Sequence, residues 1–214
     1  MTKQDPISSD TEPRKFQTRK SVATRNGILD ATVQCFLELG YHRTTTTEIA
    51  KRAGVTRGAV QYYFPTTGDV LGASIDHMID QWIETYAEEL RKMPESANRF
   101  AGGVDIYWRF VKHPLFVAWQ ELQAAARTAP ELKPIVDKAA KRYDRRRRDV
   151  GREVYKELSE VPDDTWDVAR DLLRVAIEGL AACNFGKEEA KREEAVLDLL
   201  KQMMSDLLTQ RGRG

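Results

Sequence analysis

Residues 44–64 read TTTTEIAKRAGVTRGAVQYYF. Thr45 followed three residues later by Glu48 is the spacing of a capping box, in which the two side chains satisfy the unpaired N–H groups at a helix start. The helix it opens carries Ile49 and Ala53 on its inner face and ends at Gly54, with Val55 placed to tuck into the junction. Thr56 is the next N-cap, and a short helix follows with Ala59, Val60 and Tyr63 or Phe64 available to pack before Pro65 stops it. A capped helix, a Gly-containing turn and a second short helix make a helix-turn-helix. Gly54 admits the sharp turn because it has no Cβ. Ile49, Ala50, Ala53, Val55 and Val60 are small or branched enough to lock the two helices at a steep angle.

What remains on the second helix faces outward: Arg57, Gly58, Gln61 and Tyr62. A recognition helix puts its N-terminal end into the major groove of DNA. Arg bonds guanine bidentately and Gln bonds adenine, while the hydroxyls of Thr56 and Tyr62 suit phosphate. Gly58 lets the backbone approach DNA closely. The N–H groups at the starts capped by Thr45 and Thr56 are further phosphate ligands. Tyr62 is expected as an exposed phosphate contact rather than a core ring, and Tyr63 as core.

Upstream, Ile28, Ala31, Cys35 and Leu39 recur at three and four residues and predict a helix from about Val22 to Gly40. Residues 1 to about 20 mix Pro, Ser, Asp and Lys without period and read as a disordered tail. Downstream, Thr66 with Asp69 forms a second capping box and opens a long helix to about Met93. Helical patterns then cover Ala97–Val111, Leu115–Arg127, Glu131–Leu158, Pro162–Phe185 and Lys187–Thr209. These segments predict an all-α protein of nine helices: a tail over 1–20, a helix-turn-helix domain over 21–67 and a larger helical domain over 68–214.

No run approaches the ~18 uninterrupted apolar residues of a membrane span, and the N-terminal stretch has no apolar h-region. A cytoplasmic protein, associated with the nucleoid when bound to DNA, is expected. Through Gly68 there are ten Lys and Arg against six Asp and Glu, and beyond it 24 against 27. The basic half is therefore the one that meets a polyanion. Cys35 and Cys183 have neither zinc-site nor disulfide-framework spacing, and both read as small hydrophobes. No HExxH, GxSxG, P-loop or GxGxxG occurs and there are three His, so neither an enzyme nor a cofactor is expected.

The head resembles the tetracycline-repressor (TetR) family of bacterial regulators. The resemblance rests on Gly40-Tyr41, Thr44-Thr45, Ile49-Ala50, Ala53-Gly54-Val55-Thr56, Gly58, Tyr62-Tyr63-Phe64 and Pro65-Thr66, in register over residues 22–72. It implies a ligand-responsive DNA-binding regulator, with repression of a palindromic operator relieved by a small organic effector. Thr67 stands where many members carry Lys, and Gln61 where Tyr is common, so an operator cannot be transferred from a relative. The resemblance also implies a homodimer through the last two helices, where Trp166, Leu172, Leu173, Ala176, Leu180, Leu200, Met203 and Leu207 supply apolar area. The alternative for those residues is monomer core.

Between head and dimer helices, Tyr107, Trp108, Phe116, Trp119, Gln123, Tyr143 and Asn184 place aromatic and polar groups within apolar faces, as a small-ligand pocket requires. Trp108, Trp119 and Gln123 are the expected wall, for an apolar or amphipathic effector; ordinary packing is the alternative for each. His113, before Pro114, reads as structural. The run Lys141-Arg142-Tyr143-Asp144-Arg145-Arg146-Arg147-Arg148 reads as a solvated helix surface paired with nearby carboxylates. The rival function is a helical protein-binding adaptor with a vestigial helix-turn-helix, against which the basic, Thr-capped head argues.

Overall fold

The computed structural model describes residues 19–94, 99–155, 162–183 and 186–211. The described residues form nine α-helices and no strand: α1 (Arg19–Leu39), α2 (Thr46–Ala53), α3 (Arg57–Tyr63), α4 (Thr67–Arg91), α5 (Arg99–Val111), α6 (Pro114–Ala125), α7 (Lys133–Val154), α8 (Asp163–Ala182) and α9 (Glu189–Arg211). The predicted all-α class is therefore the observed one. The tail lies outside the described residues as far as residue 18, and α1 already includes Arg19 and Lys20. None of the described helices is long and apolar enough to cross a membrane.

Threonine starts three helices in succession. Thr45 Oγ1 accepts the Glu48 N–H at 3.3 Å, Thr56 Oγ1 accepts that of Ala59 at 3.1 Å, and Thr66 Oγ1 accepts that of Asp69 at 3.1 Å. Only at Thr66 does the reciprocal bond also close, with its N–H donating to Asp69 Oδ2 at 2.9 Å. Gly54 ends α2 in the left-handed region, with φ 66° and ψ 29°, a conformation costing an L-residue with a Cβ roughly 1–2 kcal/mol.

Helices α1 to α3 close over a small core of Ile28, Leu29, Cys35, Ile49, Ala50, Val60 and Phe64, joined by Val70 from the start of α4. Burial pushes the Cys35 thiol above its ordinary range. Cys183, expected to be another small hydrophobe, is instead exposed just past the end of α8.

The larger core runs along α4 from Leu71 to Leu90 and gathers residues from α5, α6, α7, α8 and α9. Its densest layer is aromatic. Trp82 stacks on Phe110 at 4.0 Å and on Tyr143 at 5.0 Å, with Phe116 tilted against it at 5.0 Å. Two helices serve both cores: α1 gives Ile28 to the head core and Val33 and Phe36 to the larger one, while α4 gives Val70 to the first and Leu71 onward to the second. A movement of α4 therefore reaches the head directly.

Helix α7 lies along α4, and ion pairs link them rung by rung. Arg142 bonds Asp76 at 2.9 Å and also Asp80, Arg146 lies 3.9 Å from Glu84, and Arg91 bonds Glu153 at 2.9 Å. Most of the arginine run is thus the paired surface that the sequence suggests. Arg147 is the exception, because it falls on the stripe Val136, Ala139, Tyr143, Val150 and Val154 that packs inward, and it is buried with them.

Candidate nucleic-acid interface and body cavity

The second helix of the helix-turn-helix, α3, is seven residues long and presents two distinct sides. Val60 is wholly buried and Tyr63 packs at the edge of the head core. Arg57, Gly58 and Gln61 are exposed, and Tyr62 is 68 % exposed with its ring edge-on to Tyr63 at 5.1 Å. Thr67, at the first turn of α4, is exposed, and its hydroxyl lies 3.5 Å from that of Thr46. The starts of α2 and α4 therefore share one edge of the head, beside the outward face of α3.

Gly58 has no internal reason to be glycine. A Cβ there would meet only Thr56 Oγ1, at an ordinary 3.8 Å, whereas glycine inside a helix costs about 0.5–1 kcal/mol relative to Ala. The head thus carries a bare patch of backbone on its most exposed face.

In the body, a cavity of about 60 Å³ lies between α5, α7 and α8, lined by Tyr86, Phe100, Tyr107, Arg147, Trp166 and Met204 among others. A second, of about 240 Å³, lies between α4, α5 and the start of α6, lined by Trp82, Tyr86, Ile106, Phe110, His113 and Leu115, with Thr85, Glu89 and Arg109. Tyr86 belongs to both walls, and burial pushes its phenol up to about 12. Inside the first, Arg147 Nη1 donates to the Tyr107 hydroxyl at 2.6 Å, which donates to Glu178 Oε1 at 2.8 Å.

Of the effector residues expected from sequence, Tyr107 lines the smaller cavity and Tyr143 lies behind it, their hydroxyls 3.4 Å apart. The expected wall of Trp108, Trp119 and Gln123 is not assembled. Trp119 is fully buried in the core near Tyr143, and so is Phe116 against Trp82. Gln123 sits on the solvent face of α6, because Ala118, Trp119 and Leu122 turn the other face inward. Trp108 is half-buried on the side of α5 facing α9, capped by Lys112 at 4.0 Å from its ring. Asn184 lies outside the described residues. His113 is structural, its Nδ1 accepting the Leu115 N–H at 3.2 Å as the N-cap of α6.

Comparison with known proteins bears on the head first. The family model described as "Bacterial regulatory proteins, tetR family" matches residues 28–73. The head is thus that of a TetR-type regulator. An uncharacterised HTH-type transcriptional regulator of Mycobacterium tuberculosis (strain ATCC 25618 / H37Rv) is 25 % identical over 189 residues, 88 % of this chain and 95 % of that one. The fatty acid metabolism regulator of Bacillus subtilis (strain 168) is 32 % identical over 74 residues, 35 % of this chain and 38 % of its own.

Among solved structures, a putative TetR-family regulator from Rhodococcus sp. superposes with a TM-score of 0.61 at 20 % identity, over 87 % of this chain and 99 % of that one. The regulator FadR from Bacillus subtilis, solved with stearoyl-CoA, superposes with a TM-score of 0.54 at 23 % identity, over 86 % and 96 %. A chain with this head is a DNA-binding transcriptional regulator and not an enzyme.

The last two helices of the chain divide their apolar residues between two faces. Trp166, Leu180 and Leu200, expected at a dimer interface, are buried inside the subunit, and Leu173 and Ala176 are half-buried against the core. Leu172 and Met203, from the same expectation, are exposed. With them, Val168, Val175, Val196 and Leu199 are exposed too, four residues the sequence reading passed over. The signal was present: 168, 172, 175 and 196, 199, 203 each follow the three-and-four spacing of one helix face. The Leu207 side chain lies outside the described residues.

Proposed function

We propose that this protein is a ligand-responsive repressor that binds a palindromic operator as a homodimer and is released by a small organic effector. The observation that carries the reading is α3, whose apolar side is buried while Arg57, Gly58, Gln61 and Tyr62 face outward from a capped start. In this reading Arg57 and Gln61 contact base edges. Thr45, Thr56, Tyr62 and Thr67 contact phosphates on either side of the groove, and Gly58 admits the close approach that a side chain would block.

The exposed apolar face of α8 and α9 supports dimerisation. Six large apolar side chains on one side of two adjacent helices have no purpose in an isolated subunit, since contiguous exposed apolar patches mark interaction sites. A two-fold dimer through that face presents two copies of α3 about 34–36 Å apart or a multiple of it, which calls for a palindrome. An apolar or amphipathic effector is supported by the two largely apolar cavities and by the structurally similar regulator FadR, solved with stearoyl-CoA.

The effector acts here by population shift. A ligand that prefers one arrangement of α5, α7 and α8 moves α7, the ion-pair rungs carry that to α4, and α4 carries it to the head through Val70. The shift is as large as the ligand's differential affinity for the two arrangements.

The test is selection of genomic fragments bound by the purified protein, with Arg57→Ala as control. One enriched palindrome, relaxed at the position Arg57 contacts and weakened by about 1–3 kcal/mol in the variant, is the expected result. A folded protein that enriches no sequence refutes specific operator binding.

A further inference from the structure

Arg147 is an anomaly in the body of the protein. It is 6 % exposed, and the hydrogen-bond partners of its guanidinium are uncharged: the Tyr107 hydroxyl at 2.6 Å, the Arg170 backbone carbonyl at 3.2 Å and the Tyr143 hydroxyl. Among the described residues no carboxylate makes an ion pair with it. Glu178 reaches it only by relay through the Tyr107 hydroxyl, and Asp144, which feels its charge, is ion-paired to Arg170 instead. Arg170 beside it is different, since Asp144 at 2.7 Å and Asp171 at 3.2 Å compensate its charge. Buried cations are normally paired, so an uncompensated one is held at a cost unless an anion arrives.

A second, independent observation lies across the same cavity. Trp166 is 6 % exposed and its Nε1–H finds no acceptor among the described residues. An indole N–H in a buried site normally finds a partner. Among the described residues no Asp or Glu lines this cavity. Its polar groups are the guanidinium of Arg147, that indole N–H and the side chains of Arg170 and three tyrosines; the remainder is apolar, from Phe100, Val104, Leu173 and Met204.

We infer that this cavity is an anion site: Arg147 and the Trp166 Nε1–H hold the carboxylate of a monocarboxylic acid whose body is apolar. This rests on the reading of the body as effector-binding and names the chemical class of the effector. One uncompensated cation matches one negative charge, which favours a carboxylate over a phosphate dianion. The volume agrees, because about 60 Å³ accommodates a head group and not a whole ligand. The apolar body continues past Tyr86 into the neighbouring cavity of about 240 Å³. Together the two reach the ~300 Å³ at which small-ligand pockets begin.

The experiment compares decanoate with decanol, decylamine and decyl phosphate, which share one tail, and adds butanoate, octanoate and phenylacetate to vary the body. Binding is read by thermal shift and tryptophan fluorescence on wild type, Arg147→Met and Trp166→Phe, and operator release by anisotropy of a labelled operator. At least one acid raises the wild-type Tm, and the alcohol and amine of matched tail bind at least tenfold more weakly. Arg147→Met loses the acid by tenfold or more while its own unliganded Tm equals or exceeds that of wild type, since an apolar side chain replaces an unpaired buried charge. Trp166→Phe, which keeps the ring and loses the N–H, weakens the acid several-fold.

Four outcomes overturn the anion site: the alcohol binding as well as the acid, tighter binding of decyl phosphate, undiminished acid binding by Arg147→Met, or no shift from any acid. Acid that binds through Arg147 but leaves the operator bound upholds the anion site and refutes the effector reading. Release by the neutral alcohol, independent of Arg147, does the reverse.

Discussion

Replacing Gly58 with Ala should move folding and DNA binding in opposite directions. The new Cβ meets only Thr56 Oγ1 at 3.8 Å and sits on an exposed helix surface, so the fold accepts it without strain. Removing glycine from α3 gains about 0.5–1 kcal/mol, at the lower end because residue 58 is in the first turn. For a chain of this size that raises Tm by about 1–4 °C. At the operator the same methyl enters a space that we assign to DNA backbone, and forcing a methyl into a close-packed interface costs about 1–3 kcal/mol. The dimer pays this at both heads, so affinity falls by at least tenfold. Thermal melts and operator titrations at one fixed salt concentration measure the two terms side by side. A folding defect cannot explain weaker binding by a more stable variant. Unchanged operator affinity in Gly58→Ala would refute the placement of this backbone against DNA, and a lowered Tm would refute the argument that the glycine has no internal role.

Further expectations concern the body and its chemistry. Leu172 is 44 % exposed, so roughly half of a ~2–3 kcal/mol burial term awaits a partner. Leu172→Ala counts twice in a symmetric dimer and should raise the dissociation constant by about 30-fold or more in sedimentation equilibrium; a wild-type monomer at micromolar concentration would contradict the interface. Ile49 is fully buried in the head core, and Ile49→Ala should cost about 2–5 kcal/mol, abolishing operator binding while sedimentation still shows a dimer. Tyr86 has its phenol raised from about 10 to about 12 by burial, partly opposed by the charge of Arg147. The fold favours the neutral phenol, so this contribution, roughly 3 kcal/mol for two pH units, is fully present below about pH 10 and lost as pH climbs towards 12. Urea melts across that window should show the decline, and Tyr86→Phe should flatten part of it.

The head was legible in the sequence because its signals are local. Thr45, Gly54, Thr56 and Thr66 each act within four residues of themselves, and each is found at the turn or cap its chemistry implies. The body was legible as helices and much less so as a site. Whether an aromatic residue faces a cavity, the core or a neighbouring helix depends on which side of its helix is covered, and that is decided by residues far along the chain. Trp108 and Tyr107 are adjacent, yet one faces α9 and the other the cavity. Arg147 shows what a stricter reading of period could have found. Its neighbours in the arginine run suggest solvent, but its spacing from Tyr143, Val150 and Val154 puts it on the buried stripe. Helix α8 hid its outer face for a related reason: it is apolar on two sides, and size alone does not tell which large residues face outward.

The ladder of ion pairs between α4 and α7 also bears on how such a regulator could change over generations. Arg91, Arg142 and Arg146 with their carboxylates are all partly in solvent, where a single pair contributes about 0–1 kcal/mol. In the mechanism we propose, communication between cavity and head is thus divided into small, separately replaceable increments. Losing or adding one rung alters the strength of the response by a modest factor and leaves ligand choice and operator choice untouched. Sensitivity is therefore a trait selection can adjust by surface substitution, without passing through a protein that has lost either partner.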